Sequence, residues 1–127
     1  MRKLDRPILL TGSIVQGRGS GMRFPTATLQ TDTELPEPGV YVSRVILRDR
    51  AEWYEGATSV GVASTVGAVN PTVETHLFDF TGNLVGDHVE LELLSFIRPM
   101  ETFRSMRDME EEIERDITLA RDFFRSA

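Results

Sequence analysis

Between Pro7 and Ile97 the chain is a series of short β-branched runs, and beyond Ser105 its apolar residues change period. Val89, Leu91 and Leu93 fall on one face with Glu90 and Glu92 on the other, as a half-buried antiparallel strand requires. That alternation lies in His88–Ile97, and four other runs read as strands: Pro7–Val15, Gly39–Leu47, Ala57–Thr65 and Val73–Phe80. Turn chemistry separates them, with PEPG at 36–39, NP at 70–71, TGN at 81–83 and GD at 86–87. From Ser105 onward, Met106, Met109, Ile113, Ile117, Ala120 and Phe124 recur at spacings of three and four, which is one apolar stripe along a helix. Glu110, Glu111, Glu112, Glu114 and Arg115 occupy the solvated side; Ser105 is the expected N-cap, with Asp108 in the first turn. Five or six strands followed by one long helix predict a mainly β fold, a closed or nearly closed antiparallel barrel with a packed C-terminal helix.

Composition bounds what such a barrel could do. No internal repeat or linker divides the 127 residues, so a single domain over 1–127 is expected. A net charge of −6 leaves no basic stripe to displace counterions, so no nucleic-acid partner is expected, although a local cluster of donors could still hold a nucleotide. The absence of cysteine removes disulfides, thiolate metal sites and cysteine nucleophiles together. The start, MRKLDRPILL, is too poor in apolar residues for a signal peptide, and no run approaches the roughly 18 apolar residues of a membrane span. A soluble, cytoplasmic protein without a membrane partner is expected, and a monomer is the simplest arrangement. The starting Met and polar N-terminus fit an independent protein.

Two stretches carry possible chemistry. GRGSGMRFPTATL, Gly17 to Leu29, lies in an unusually long connection, and such connections tend to be functional. Gly17, Gly19 and Gly21 permit close backbone approach, so several N–H groups could converge on an anion. Arg18 and Arg23 could add charge-assisted bonds to phosphate. Pro25 fixes the backbone just before Thr26, and Thr28, two residues on, shares a strand face with it. Two hydroxyls on one face could meet a hydrated Mg²⁺ and a phosphate. A long glycine-rich hairpin with strand-favouring threonines explains the same residues without any ligand. In NPTVETHLFDF, Glu74 would share a strand face with His76, Phe78 and Phe80, partly desolvated and suited to accept a proton. A surface glutamate at the start of a strand is the competing reading. His76, with no Cys or second His nearby, reads as structural and suggests no metal site. Asp79, just before TGN, reads as a turn-forming acid.

Together these stretches resemble the riboflavin kinase family, which includes the kinase module of bacterial bifunctional FAD synthetases. The likeness runs over about residues 9–124 and rests on five motifs in order: GSGMRFPTAT, LPEPGVYV, GVASTVGAVNPTV, ETHLFDF and RPMETFRS. It implies a six-stranded antiparallel Greek-key barrel with a long C-terminal helix, and ATP-dependent phosphorylation of riboflavin to FMN. Carried over by position, it implies that Glu74 is the general base for the ribityl 5′-hydroxyl. Thr26 and Thr28 would meet Mg²⁺ and the nucleotide phosphates, with Pro25 between them and the flap. The flap would be Gly17, Arg18, Gly19, Gly21 and Arg23, while the loop from Arg98 to Phe103 and the start of the helix would close over the isoalloxazine ring. The chain departs from the family pattern at Thr28 (Asn in the family), Arg23 (Gly) and Ser20 (Arg), and it runs directly from Pro-Thr into VETH. A non-catalytic flavin-binding member of the fold and a ligand-free interaction module stay open beside the kinase.

Overall fold

The protein was analysed as a computed structural model, which describes residues 1–16, 24–61 and 71–126. Its elements are β1 (Arg2–Val15), β2 (Ala27–Thr31), β3 (Gly39–Leu47), β4 (Glu52–Gly61), β5 (Thr72–Leu77), β6 (His88–Arg98) and α1 (Met106–Arg125). The six strands close into an antiparallel barrel in the order β1-β2-β5-β4-β3-β6. Within that order β6 returns past β4 and β5 to lie beside β3, which makes the run β6-β3-β4-β5 a Greek key. The expected barrel and C-terminal helix are therefore the observed ones.

Alternation within the strands sorts side chains into two cores. Tyr41, Val45, Val60, Val73, Leu91 and Leu93 point inward and fill the barrel. Val40, Val42, Ala57 and Ile97 point outward and are covered by Ala120, Ile117 and Phe124 of α1. Burying one full side chain of this kind stabilises by about 1.5–3 kcal/mol, so the helix is held by the outer cluster rather than by propensity alone. Ser105 caps α1 as expected, its hydroxyl accepting from the Asp108 N–H at 3.1 Å.

Several boundaries differ from the sequence reading, each for a physical reason. The long connection after β1 contains β2, which pairs with β1 through Thr28–Thr31 and with β5 through Ala27–Leu29. At Gly12 the approach of β1 to β2 is so close that a Cβ would lie 2.0 Å from the Gln30 carbonyl oxygen. β1 begins at Arg2, five residues before the expected Pro7, because a register shift between Lys3 and Ile8 lets it continue along β6. β5 ends at Leu77 rather than Phe80. Asp79, the expected turn acid, adopts a left-handed φ of 57° and breaks the alternation there. As a result Phe80 packs on the inner core, edge-on to Tyr54, and does not share the outward face of Glu74.

Candidate active site

One cavity of about 480 Å³ opens between the outer face of β4 and β5 and the N-terminal half of α1. Its volume is within the usual range for small-molecule sites. Glu74 and Thr26 contribute to its wall from the barrel side, and Met100, Phe103, Met106 and Met109 from the loop after β6 and the start of α1. The apolar stripe of α1 is thus divided. Ile117 and Ala120 reach the outer core, whereas Met106, Met109 and Ile113 form cavity wall, with Ile117 shared between the two.

Glu74 reaches the cavity because β5 alternates: Val73 and Thr75 are buried inside the barrel, so Glu74 and His76 face out. In the ladder Glu74 lies between Thr28 of β2 and Ser59 of β4, and Ser59 also lines the cavity. The Thr26 hydroxyl donates to Glu74 Oε1 at 3.3 Å. A carboxylate and a hydroxyl therefore meet in the wall of a pocket that also presents Met100, Phe103, Met106 and Met109, where a hydroxyl-bearing ligand could be held and relieved of a proton. Thr28 is the cross-strand neighbour of Glu74 but is not among the residues that line the cavity. Of the expected aromatic neighbours on the outer face of Glu74, Phe78 is there but buried beneath α1, its ring 4.6 Å from the Arg121 guanidinium, and Phe80 is not.

Arg98 and Phe103 both line the cavity, and the guanidinium lies 5.6 Å from the Phe103 ring centroid. The charge of Arg98 is directed elsewhere. Its Nε and Nη2 donate to the two carboxylate oxygens of Asp116 at 2.9 and 2.8 Å, and Glu112 lies 3.7 Å away. Burial pushes the Asp116 carboxyl up, and its bonds to Arg98 offset that only in part. Burial also works against the Arg98 cation, but the bonds to Asp116 outweigh it and hold the guanidinium above its ordinary value. Arg98 is thus a strut joining β6 to α1.

Asp116 and His76 were not singled out as site residues by sequence. Asp116 stands three residues after Ile113 and four before Ala120, so an acid at stripe spacing was the available signal. His76 donates from Nδ1 to the Pro25 carbonyl, 2.9 Å away, and so holds the Phe24-Pro25-Thr26 segment. Gly17, Arg18, Gly19, Ser20, Gly21 and Arg23 lie outside the described residues, as does most of GVASTVGAVNPTV. Among the described residues no group of three or more His, Cys, Asp or Glu is placed to hold a metal, and no helix is long and apolar enough to cross a membrane.

The chain is 33% identical over 126 residues to a bifunctional riboflavin kinase/FMN adenylyltransferase from Haemophilus influenzae, covering 97% of this chain and 41% of that protein. It therefore spans about two fifths of that relative's length. A crystal structure of riboflavin kinase from Trypanosoma brucei superposes with a TM-score of 0.69 at 25% identity, over 98% of this chain and 82% of the other. A Streptococcus pneumoniae structure described as a macrolide-efflux protein superposes with a TM-score of 0.79 at 28% identity, over 91% of this chain and 38% of the other. Residues 4–124, from the first turn of β1 to the end of α1, match the family described as Flavokinase, riboflavin kinase, and the chain belongs to that family.

Proposed function

We propose that this chain transfers the γ-phosphoryl group of ATP to the ribityl 5′-hydroxyl of riboflavin, giving FMN and ADP. The observation that carries the reading is the Thr26–Glu74 pair in the wall of a 480 Å³ cavity that Met100, Phe103, Met106 and Met109 also line. A flat, largely apolar ring system suits the methionine and phenylalanine lining, with its polyol tail directed toward Glu74. Glu74 would take the proton of the attacking hydroxyl, and Thr26 would hold the carboxylate oriented until then. Phosphoryl transfer asks for little more than positioning and charge neutralisation, so Glu74 alone can serve as the base while Asp116 stays bound to Arg98.

Magnesium favours oxygen ligands, retains waters and is often held mainly by substrate phosphates, so a site offering a hydroxyl and a nearby carboxylate is compatible with it. Thr26, just before β2, would hold the ion, with Thr28 two residues further on beside Glu74 in the ladder but off the cavity wall; when bound, the ion would neutralise phosphate charge. Flavin and adenine nucleotide are the small-molecule partners of this reading. The whole chain, 1–127, is read as one riboflavin-kinase-like domain.

The test is direct. Riboflavin, ATP and Mg²⁺ should yield FMN and ADP, and Glu74→Gln should abolish turnover while leaving flavin fluorescence quenching intact. Quenching without product at high enzyme concentration would instead favour a flavin-binding member without activity, a reading supported by the position of Thr28 outside the cavity lining. No quenching by any flavin would leave an interaction module.

A further inference from the structure

His76 has no role in the proton transfer proposed above, yet it touches the segment that brings Thr26 to Glu74. The ladder between β2 and β5 ends at the Ala27–Thr75 pair, so Thr26 lies one residue beyond its last rung. The next hold on the segment is the bond from His76 Nδ1 to the Pro25 carbonyl, 2.9 Å long, on the peptide unit that joins Pro25 to Thr26. The Phe24 ring then packs edge-on to the imidazole, with centroids 5.8 Å apart at 76°. On its other side the imidazole meets Phe78, also at 5.8 Å, and Phe78 is buried beneath α1. The imidazole is therefore wedged between a buried anchor and the segment it holds. A carbonyl can only accept, so Nδ1 must carry the proton.

We infer that His76 is a positioning residue: its Nδ1–H, bonded to the Pro25 carbonyl, holds Thr26 against Glu74 and thereby sets the nucleotide-phosphate end of the site. This rests on the kinase reading for its kinetic consequence but not for its geometry. His76 itself borders the cavity, but loss of the Nδ1 donor releases Thr26 while Met100, Phe103, Met106 and Met109 stay in place, so nucleotide affinity and flavin affinity should separate. One hydrogen bond contributes up to about 1.4 kcal/mol, a factor of about ten. Asparagine places an amide N–H near the position of Nδ1, whereas glutamine reaches toward the position of Nε2.

The experiment combines a spectrum and a kinetic series. In the unliganded wild-type protein, imidazole ¹⁵N NMR above the ordinary histidine titration range should show His76 as the Nδ1–H form with a slowly exchanging proton. An Nε2–H form overturns the inference whatever the protein's activity. In the series, His76→Gln should raise KM for ATP about tenfold with flavin affinity within about twofold of wild type, the size of one lost bond. His76→Asn should recover most of that loss. Asparagine behaving no better than glutamine, or both matching wild type, overturns the inference. A wild-type protein without turnover defeats the kinase reading, and the spectrum still decides the role of His76.

Discussion

Thr26 and Glu74 are 48 residues apart in sequence and joined by a 3.3 Å hydrogen bond, because β2 and β5 are neighbours in the closed barrel. If the hydroxyl orients the carboxylate and meets the nucleotide, Thr26→Val should lower kcat/KM for ATP by about ten- to a hundredfold, the range for loss of one charge-assisted contact in a transition state. Thr26→Ser should retain most of the activity. Flavin quenching should be the same in all three proteins; a valine variant that also loses flavin would show that Thr26 supports the pocket as a whole.

Asp116 should behave as a structural residue and not as a second acid. Its carboxylate is almost fully buried and takes two bonds from Arg98, which is itself largely buried. Asp116→Ala leaves that guanidinium with the Pro99 carbonyl at 3.2 Å and Glu112 at 3.7 Å. Breaking a buried pair typically costs about 3–5 kcal/mol, and the remaining Glu112 should place this variant at the lower end. Denaturant titration of Asp116→Ala beside wild type checks it. An alanine variant within about 0.5 kcal/mol of wild type would show that the strut contributes nothing.

The difference between what the sequence revealed and what it concealed follows from local versus non-local forces. The helix and its Ser105 cap were legible because capping and a three-to-four spacing are written within a few residues. Val89, Leu91 and Leu93 were legible for the same reason, at period two. Phe80 was misplaced because one left-handed residue, Asp79, reverses the alternation, and Asp carries that option without requiring it. The pairing of β2 with β5 could not be read locally, since register between distant strands depends on tertiary packing. Glu74 and Thr26 could therefore be named singly but not measured against each other. Asp116 was hidden for a further reason: an acid on an apolar stripe makes sense only once Arg98 is known to face it.

Tyr41 should give the protein an alkaline limit. The residue is 1% exposed, its hydroxyl donates to the Glu37 carbonyl, and its ring packs edge-on to Phe96. Burial pushes the phenol above its ordinary value of 10.0, and the charge of Glu37 adds to the effect. A group whose value is raised on folding contributes its full stability below its unfolded value and loses it as pH climbs through the folded one. Stability should therefore fall above about pH 10, where the unfolded chain releases the tyrosine proton first. Tyr41→Phe should flatten that decline at a cost of about 1 kcal/mol near neutrality, from the lost hydrogen bond. Identical slopes for the two proteins in thermal melts between neutral and alkaline pH would exclude Tyr41 as the cause.

The divided stripe of α1 predicts that two residues on the same helix face, about three turns apart, will fail in opposite ways. Met109 is half-buried and lines the cavity, whereas Ala120 is 0% exposed in the outer core against the barrel. Met109→Ala removes wall from a space already open to ligand, so it should cost little in unfolding free energy and weaken flavin quenching by about three- to thirtyfold, as one lost apolar contact of about 1–2 kcal/mol implies. Ala120→Leu forces extra methylenes into a packed interface and should destabilise by about 1–3 kcal/mol. Flavin affinity in that variant should hold as long as it remains folded, because residue 120 does not border the cavity. Calorimetry and quenching on the same two proteins decide the matter. If both variants lose stability and affinity in proportion, α1 acts as one undivided face and the cavity is merely the edge of the core.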